Sequence, residues 1–205
     1  MALAYPVNGA AILHCITSYP APEEEYNLSL IPGLSKIFGV PVGISDHSKD
    51  PILVPVLSTA LGGAIIEKHI TLSKIGNGLD DPIAITPSEL SQMCIEVRAT
   101  EKRSYNETIL QLNNLYGKKM IDRTIGTGIK ELARTEKANY RTTNRSIMAT
   151  ADIKKGEPFT AKNTALLRSE KFLTPGLSPY FFLQILKRTA IRNIQSGEGI
   201  NWDCF

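Results

Sequence analysis

Short apolar runs alternate with a helix-like segment in the first third of the chain. Residues 11–16 and 40–47 each have the composition of a strand, and a third apolar run covers residues 63–71. Residues 51–61 lie between the second and third runs, are rich in Leu, Val and Ala, and are long enough for a short helix. This order predicts the strand–helix–strand unit of a parallel α/β sheet.

Two further segments have helical features. Residues 23–38 carry apolar side chains at helical spacing, namely Leu28, Ile31, Leu34 and Phe38. Pro32 lies inside that pattern and is expected to kink or interrupt the helix. The stretch Thr86-Pro87-Ser88-Glu89 predicts a helix start, because Thr86 and Glu89 have the spacing of a capping box.

The rest of the chain suggests a linker and a second, smaller unit. Residues 101–144 are polar and mixed in charge, so we expect an irregular helical tail that leads into a linker at 123–144. From residue 145 short strand candidates return, and two similar stretches, Asp-Ile-Lys-Lys-Gly-Glu at 152–157 and Asn-Ile-Gln-Ser-Gly-Glu at 193–198, form a weak internal repeat. The predicted division is therefore 1–122, a linker at 123–144, and 145–205.

Composition narrows the function classes only modestly. The chain has 205 residues and a net charge of +3, from 23 basic and 20 acidic residues, which is too weak to indicate nucleic-acid binding. Its three scattered cysteines, Cys15, Cys94 and Cys204, form no metal-binding spacing and favour a reducing, cytoplasmic location. No apolar run approaches the roughly 20 residues of a membrane span.

A histidine stands at the end of each of the two later strands. His47 and His69 are 22 residues apart, and parallel strands end at the same edge of their sheet. The two imidazoles are therefore expected to lie side by side, where they could bind a divalent transition metal. The alternative is that each is an isolated histidine at a strand end.

Several polar residues around these histidines have structural explanations. Glu67 and Lys68 could form an ion pair inside the sheet, and Asp46 could orient His47. For His14, on the first strand, packing in the core is the favoured interpretation.

The stretches Gly43-Ile44-Ser45-Asp46-His47 and Glu67-Lys68-His69-Ile70-Thr71-Leu72 resemble the metal-binding strand ends of the sialic acid synthase family. The resemblance extends over nearly the whole chain. It implies that the first unit is the C-terminal part of a TIM-type (β/α)8 barrel, about strands six to eight. The second unit resembles the antifreeze-like SAF domain that ends such synthases.

The family condenses phosphoenolpyruvate with an N-acyl amino sugar, such as N-acetylmannosamine, and water to give a nine-carbon 2-keto acid and phosphate. The resemblance implies that His47 and His69 bind a divalent metal, usually Mn2+, that activates the sugar aldehyde. It also implies substrate contacts from five residues: Thr17, Tyr19, Ser45, Asp80 and Arg168. Thr17 stands where relatives often have asparagine. Asp81 is the alternative to Asp80 if the match to the family motif is shifted by one residue.

In the family, Arg168 would enter the barrel of the other subunit, which implies a domain-swapped homodimer. Only three of eight barrel strands match, so we expect a fragment of a synthase that is inactive as an isolated chain. Two alternatives stay open. One is a non-catalytic protein that binds a carbohydrate or a subunit through its SAF domain, and the other is a degenerate remnant without activity.

Overall fold

The computed structural model describes residues 9–137, 140, 144–169 and 173–205. The chain forms two compact units, Met1–Lys137 and Ala138–Phe205. The first contains the predicted strand–helix–strand pattern, and the second contains the internal repeat.

A parallel sheet forms the centre of the first unit. Its strands are β1 (Ile12–Cys15), β2 (Val42–Asp46) and β3 (Ile66–Lys68), in the order β1-β2-β3. Ser45 on β2 lies beside Cys15 of β1 and Glu67 of β3. The predicted α/β arrangement is confirmed, and the carboxyl ends of all three strands meet at one edge.

The connecting helices cover this sheet. Helix α1 (Leu30–Phe38) joins β1 to β2, and helix α2 (Leu53–Ala60) joins β2 to β3. All five residues of β2 are buried, as expected for a central parallel strand with a neighbour on each side. Side chains from β2, α1 and α2 share one apolar core that includes Ile31, Ile44 and Leu57.

The expected kink at Pro32 is wrong. Residues 23–38 form two elements, a 3-10 turn at Glu23–Glu25 and helix α1, which begins at Leu30. Pro32 is therefore in the first turn of α1, where a backbone N–H has no partner within the helix and proline is tolerated.

The segment after residue 100 is helical, as predicted, but its helices are regular rather than irregular. Helix α3 (Pro87–Thr100) begins with the predicted capping box at Thr86. It is followed by two regular helices, α4 (Tyr105–Tyr116) and α5 (Lys118–Ile125), and by a single turn, α6 (Arg134–Lys137). A second capping box, formed by Ser104 and Glu107, starts α4. Leu112 and Ile121 then pack these helices into the core of the first unit.

The second unit is built around a two-stranded antiparallel sheet, β4 (Arg145–Ala149) and β5 (Thr164–Arg168), and a short helix, α7 (Phe182–Ile185). The two repeat stretches pair with each other through Ile153 and Ile194. Their side-chain contacts are reciprocal: Asn193 accepts from the backbone N–H of Lys155, and Asp152 accepts from that of Ser196. The weak sequence repeat is therefore a local structural symmetry.

Within the described part of the chain, no helix combines the length and apolar character required to cross a membrane.

Candidate functional site

The two predicted histidines lie together at the carboxyl edge of the sheet. His47 directly follows β2 and His69 directly follows β3. Their ring centroids are 5.4 Å apart and their planes are inclined by 45°. The parallel pairing of Asp46 with Lys68 causes this proximity, because it places the next residue of each strand side by side.

The ring of His47 is buried and held by the backbone of the neighbouring strand. Its Nδ1 lies 2.8 Å from the carbonyl oxygen of Ile16. Since a carbonyl oxygen only accepts hydrogen bonds, Nδ1 carries the proton in the neutral ring, and the lone pair lies on Nε2. A backbone carbonyl in this role is typical of metal-binding histidines, because it fixes the tautomer and the ring orientation.

Tyr19 covers the two histidines. Its ring stacks on His47, with centroids 4.1 Å apart, and meets the ring of His69 edge-on at 5.8 Å. The side chain is about half exposed. The structure thus brings Tyr19 to the histidine pair, as predicted.

A buried polar network lies beneath His47. The Asp46 carboxylate pairs with Lys68 Nζ at 2.7 Å and also accepts a hydrogen bond from the hydroxyl of Tyr26. The same hydroxyl accepts from the backbone N–H of His47. Burial, and then the charge of Asp46, raise the pKa of Tyr26 far above its ordinary value, so the hydroxyl keeps its proton.

The structure changes the interpretation of three charged residues in this region. Lys68 pairs with Asp46 across the strands rather than with Glu67, its neighbour in the chain. Asp46 holds the backbone after β2, while the ring of His47 is oriented by Ile16.

Ser45 is the second-last residue of β2, and its side chain faces the histidine pair. Its hydroxyl donates to Glu67 Oε1 at 2.6 Å and lies 3.5 Å from His47 Nε2. Cys15 is the register neighbour of Ser45 on β1, and burial raises the pKa of its thiol. The side chain of Ser45 is therefore at the strand edge where the prediction placed it, bonded to a carboxylate.

The loop after β3 separates the roles of two adjacent aspartates. Asp80 Oδ2 lies 3.6 Å from His69 Nδ1. Asp81 turns into its own loop, where it accepts hydrogen bonds from the Thr71 hydroxyl and the Gly78 N–H. This geometry favours Asp80 over Asp81 as the aspartate that faces the histidines.

Thr17, predicted to contact phosphoenolpyruvate, is bonded to a carboxylate of its own chain. Its backbone N–H and its hydroxyl both donate to Glu136 Oε1, at 2.9 and 2.8 Å. A second pair of hydrogen bonds has the donor and acceptor segments exchanged: the N–H and hydroxyl of Thr135 donate to Glu25 Oε2. We call these two contacts the glutamate clasps.

Both clasp carboxylates are ionised more readily than free glutamate. For Glu136, burial raises the pKa, but hydrogen bonds from Thr17 and Ala133 outweigh it and lower the pKa overall. For Glu25, the opposing effect of burial is likewise exceeded by the hydrogen bonds from Thr135 and the charge of Arg134.

The two remaining residues have different settings, since Arg168 belongs to the second unit and His14 packs in the core of the first. Arg168 is the last residue of β5 in the second unit, and its side chain is exposed. His14 is buried, and its Nε2 contacts the carbonyl oxygen of Tyr26. Burial lowers its pKa, so it is the neutral core histidine that the sequence favoured.

The histidine pair fits one part of a metal site. A metal ion bound about 2.1 Å from one nitrogen of each ring would hold the ring centres no more than about 6.5 Å apart, a limit that the observed pair satisfies. His47 offers a lone pair on Nε2, and neutral imidazole suits transition metals. No group of three or more His, Cys, Asp or Glu side chains in residues 9–137, 140, 144–169 and 173–205 is arranged to hold a metal. The pair would therefore need further ligands from substrate, water or other protein segments.

Two residues near the site were not identified from the sequence as functional. Tyr26 stood outside the motifs singled out in the sequence, and its partner Asp46 is 20 residues away. Glu136 lay in the segment predicted to be a linker, and it contacts Thr17 across 119 residues. Neither contact has a local sequence signal.

Comparison with known protein families agrees with both units. The model of the NeuB family matches residues 5–108, and the model of the SAF domain matches residues 144–205.

Two similar bacterial proteins carry names from carbohydrate biosynthesis. The spore coat polysaccharide biosynthesis protein SpsE of Bacillus subtilis is 37% identical over 96% of this chain and 51% of its own length. N,N'-diacetyllegionaminic acid synthase of Campylobacter jejuni is 32% identical over 91% of this chain and 48% of its own length. The crystal structure of B. subtilis SpsE aligns with a TM-score of 0.75, over 95% of this chain and 52% of that one, at 36% identity. This chain therefore spans about half the length of these relatives.

Proposed function

The chain belongs to the NeuB family and carries a SAF domain, and from this premise we propose that it is part of a sialic-acid-type synthase. The proposed reaction combines phosphoenolpyruvate, an N-acyl amino sugar (N-acetylmannosamine or a relative) and one molecule of water. It yields a nine-carbon 2-keto acid and phosphate for carbohydrate biosynthesis.

The observation that carries this proposal is the histidine pair under Tyr19. Two imidazoles 5.4 Å apart, with the lone pair of His47 directed by the Ile16 carbonyl, form a suitable half-site for a divalent ion. Asp80 lies beside the partly exposed His69, and Ser45 lies beside the buried His47. The candidate metal ligands and the candidate substrate contacts are therefore grouped together, as the proposed reaction requires.

In the proposed site, His47 and His69 hold the divalent ion, with Mn2+ as the expected metal. When bound, such an ion acts as a Lewis acid that polarises the sugar aldehyde. Tyr19 shields the histidines from water and offers a ring face to the sugar. Asp80 accepts hydrogen bonds from sugar hydroxyls, and the Ser45 hydroxyl turns from Glu67 to donate to an oxygen of phosphoenolpyruvate.

Thr17 requires a rearrangement to take part. Its two donors are bonded to Glu136, so an anionic substrate would have to displace that carboxylate. We therefore assign Thr17 a lesser part in phosphoenolpyruvate binding than Ser45.

The proposal extends to assembly. We propose that β1, β2 and β3 are strands six to eight of a TIM-type barrel. Among the described residues, β1 and β3 each pair with β2 alone, so barrel closure would use strands from elsewhere, and the isolated chain would be inactive. Arg168 is exposed at the end of β5, and we propose that it reaches the site of a second subunit in a domain-swapped homodimer.

The test is Mn2+-dependent phosphate release from phosphoenolpyruvate and N-acetylmannosamine, measured with the complete protein that carries this chain. We expect release that requires both substrates and the metal. His47→Ala and His69→Ala should each reduce the rate at least about 100-fold, because each removes a metal ligand. Tyr116→Phe, which removes a hydroxyl bonded to Asp50 rather than to the histidines, is the control and should keep the rate.

Two results would contradict the proposal. The first is phosphate release that persists in the His47→Ala, His69→Ala double variant. The second is a protein that releases no phosphate from phosphoenolpyruvate with any N-acyl amino sugar but still binds sugar in that double variant. The second result would favour a non-catalytic binding role for the SAF domain.

A further inference from the structure

Tyr26 is a fully buried tyrosine whose hydroxyl joins Asp46, the last residue of β2, to His47, which follows it. The hydroxyl donates to Asp46 Oδ1 at 2.8 Å and accepts from the backbone N–H of His47 at 2.8 Å. It therefore uses its donor and an acceptor position at once. Both bonds come from the segment between the 3-10 turn and α1, not from the adjacent strands β1 and β3.

The backbone of Tyr26 is itself anchored to β1. Its carbonyl oxygen contacts Nε2 of the buried His14. Ile16, the residue directly after β1, accepts the hydrogen bond from the His47 ring. The backbone of His47 is thus held through Tyr26, and its ring is held through Ile16.

We propose that Tyr26 is a positioning residue for His47, because it fixes the backbone that carries the imidazole proposed to bind the metal. This inference rests on the proposed function, because it assigns His47 as a metal ligand. Tyr26 acts through the backbone N–H of His47 and does not touch the metal or a substrate.

The hydroxyl matters more than the ring for this role. Phenylalanine would fill the same volume in the core, but it would leave the buried N–H of His47 without its acceptor. Asp46 would keep its contacts with Lys68 and the Ser48 N–H. The main local effect of Tyr26→Phe is therefore a loosened backbone at the metal ligand, since an unpaired buried N–H favours conformations that expose it to water.

The chain offers a matched control. Tyr116 also donates its hydroxyl to a carboxylate, Asp50, at 3.1 Å to both oxygens. The Asp50 carboxylate accepts hydrogen bonds from the N–H groups of Ile52 and Leu53. These bonds hold the start of α2, whereas those of Tyr26 hold the end of β2. Tyr116→Phe removes the same chemical group and controls for a general loss of stability.

The experiment is a titration of the complete protein with Mn2+, with free Mn2+ followed by electron paramagnetic resonance. Wild type, Tyr26→Phe, Tyr116→Phe and His47→Ala are compared at a temperature where all four are folded. We expect Tyr26→Phe to bind Mn2+ about tenfold more weakly, as changes behind a metal ligand commonly do. Tyr116→Phe should bind like the wild type, and His47→Ala should lose the site.

Hydrogen exchange supplies a readout that needs no metal. The amide of His47 should exchange faster in Tyr26→Phe than in the wild type or in Tyr116→Phe, because its acceptor is gone. Faster exchange together with unchanged Mn2+ affinity would overturn the positioning role. An equal loss of Mn2+ affinity in both tyrosine variants would also overturn it.

The outcomes separate this inference from the proposed function. If the wild type binds Mn2+ and His47→Ala does not, the proposed metal site stands whatever Tyr26→Phe does. If the wild type binds no Mn2+, or His47→Ala binds it equally well, the metal site and this inference both fail.

Discussion

The two histidines at the candidate site end neighbouring strands, yet their surroundings differ sharply. His47 is 5% exposed, and both its ring and its backbone N–H are hydrogen-bonded to buried groups. The side chain of His69 is 36% exposed and has a looser contact, 3.6 Å, with Asp80. His47 is therefore held in place by the fold, whereas His69 is partly exposed to solvent.

Strand position explains the contrast. β2 pairs on both sides and all its residues are buried, whereas β3 has three residues and a partly exposed pattern. A central strand is surrounded by groups that can anchor its end, and an outer strand is anchored from one side. The comparison predicts that changes under His47 disturb the whole unit, while changes beside His69 act locally.

The largest expected effect comes from Lys68→Met. Asp46 and Lys68 are almost completely buried, and removal of one partner leaves an uncompensated buried charge. We expect the free energy of unfolding to fall by about 3–5 kcal/mol, measured by urea denaturation.

Lys74→Met is the control for this change. Lys74 forms an ion pair of the same length with Glu89, but both side chains are partly exposed. Its loss should cost no more than about 1 kcal/mol. Similar losses in the two variants would show that burial under His47 has no special weight.

A second large effect is expected from Gly43→Ala in the centre of β2. A Cβ at this position would overlap the backbone of Ile65, which pairs with β2 just before β3. We expect a loss of about 1–3 kcal/mol, because the two backbones must move apart. The displacement should also weaken Mn2+ binding, since this pairing sets the distance between His47 and His69.

Gly33→Ala is the matched control in helix α1. A Cβ there meets open space, so the variant should be neutral or more stable by about 0.5–1 kcal/mol. A Gly43→Ala protein as stable as Gly33→Ala would contradict the close strand approach.

The glutamate clasps predict a dependence of stability on pH. The pKa of Glu136 is lowered in the folded chain, so between its folded and unfolded pKa values the unfolded state binds more protons. The stabilisation is fully present above the ordinary glutamate pKa and is lost as pH falls through the lowered one. Urea midpoints measured from pH 7 downward should fall in that acidic range.

Glu136→Gln tests whether this clasp is responsible. It should cost about 1–3 kcal/mol at pH 7, as for hydrogen bonds to a charged group, and should lose less stability on acidification than the wild type. Glu131→Gln, at an exposed position in the same segment, should keep the wild-type profile. An acid-induced loss in Glu136→Gln as large as in the wild type would assign the effect to other carboxylates.

Much of the fold could be predicted because its signals are local. Apolar runs located the strands, and the rule that parallel strands end at one edge placed His47 beside His69. The capping box at Thr86 located α3, and the same motif at Ser104 and Glu107 could have located α4.

The parts of the site that the sequence did not reveal depend on contacts between distant segments. Tyr26 could not be assigned, since a tyrosine in an apolar pattern gives no indication of which carboxylate its hydroxyl will meet. The clasp between Thr17 and Glu136 joins residues 119 positions apart. Such contacts depend on how the helices after residue 100 pack against the earlier segments, and the sequence predicted a helical tail there without its packing.

The smallest effect on stability is expected at the open half of the site, from Asp80→Asn. Asp80 is 42% exposed and forms a loose pair with His69, so the free energy of unfolding should change by less than about 0.5 kcal/mol. Asp81→Asn should cost more, about 1 kcal/mol, because Asp81 holds the loop through Thr71 and Gly78. If Asp80 contacts the sugar, the order reverses for function: Asp80→Asn should raise the KM for the sugar more than Asp81→Asn does. A larger rise in KM for Asp81→Asn, at equal stability, would transfer the sugar contact to Asp81.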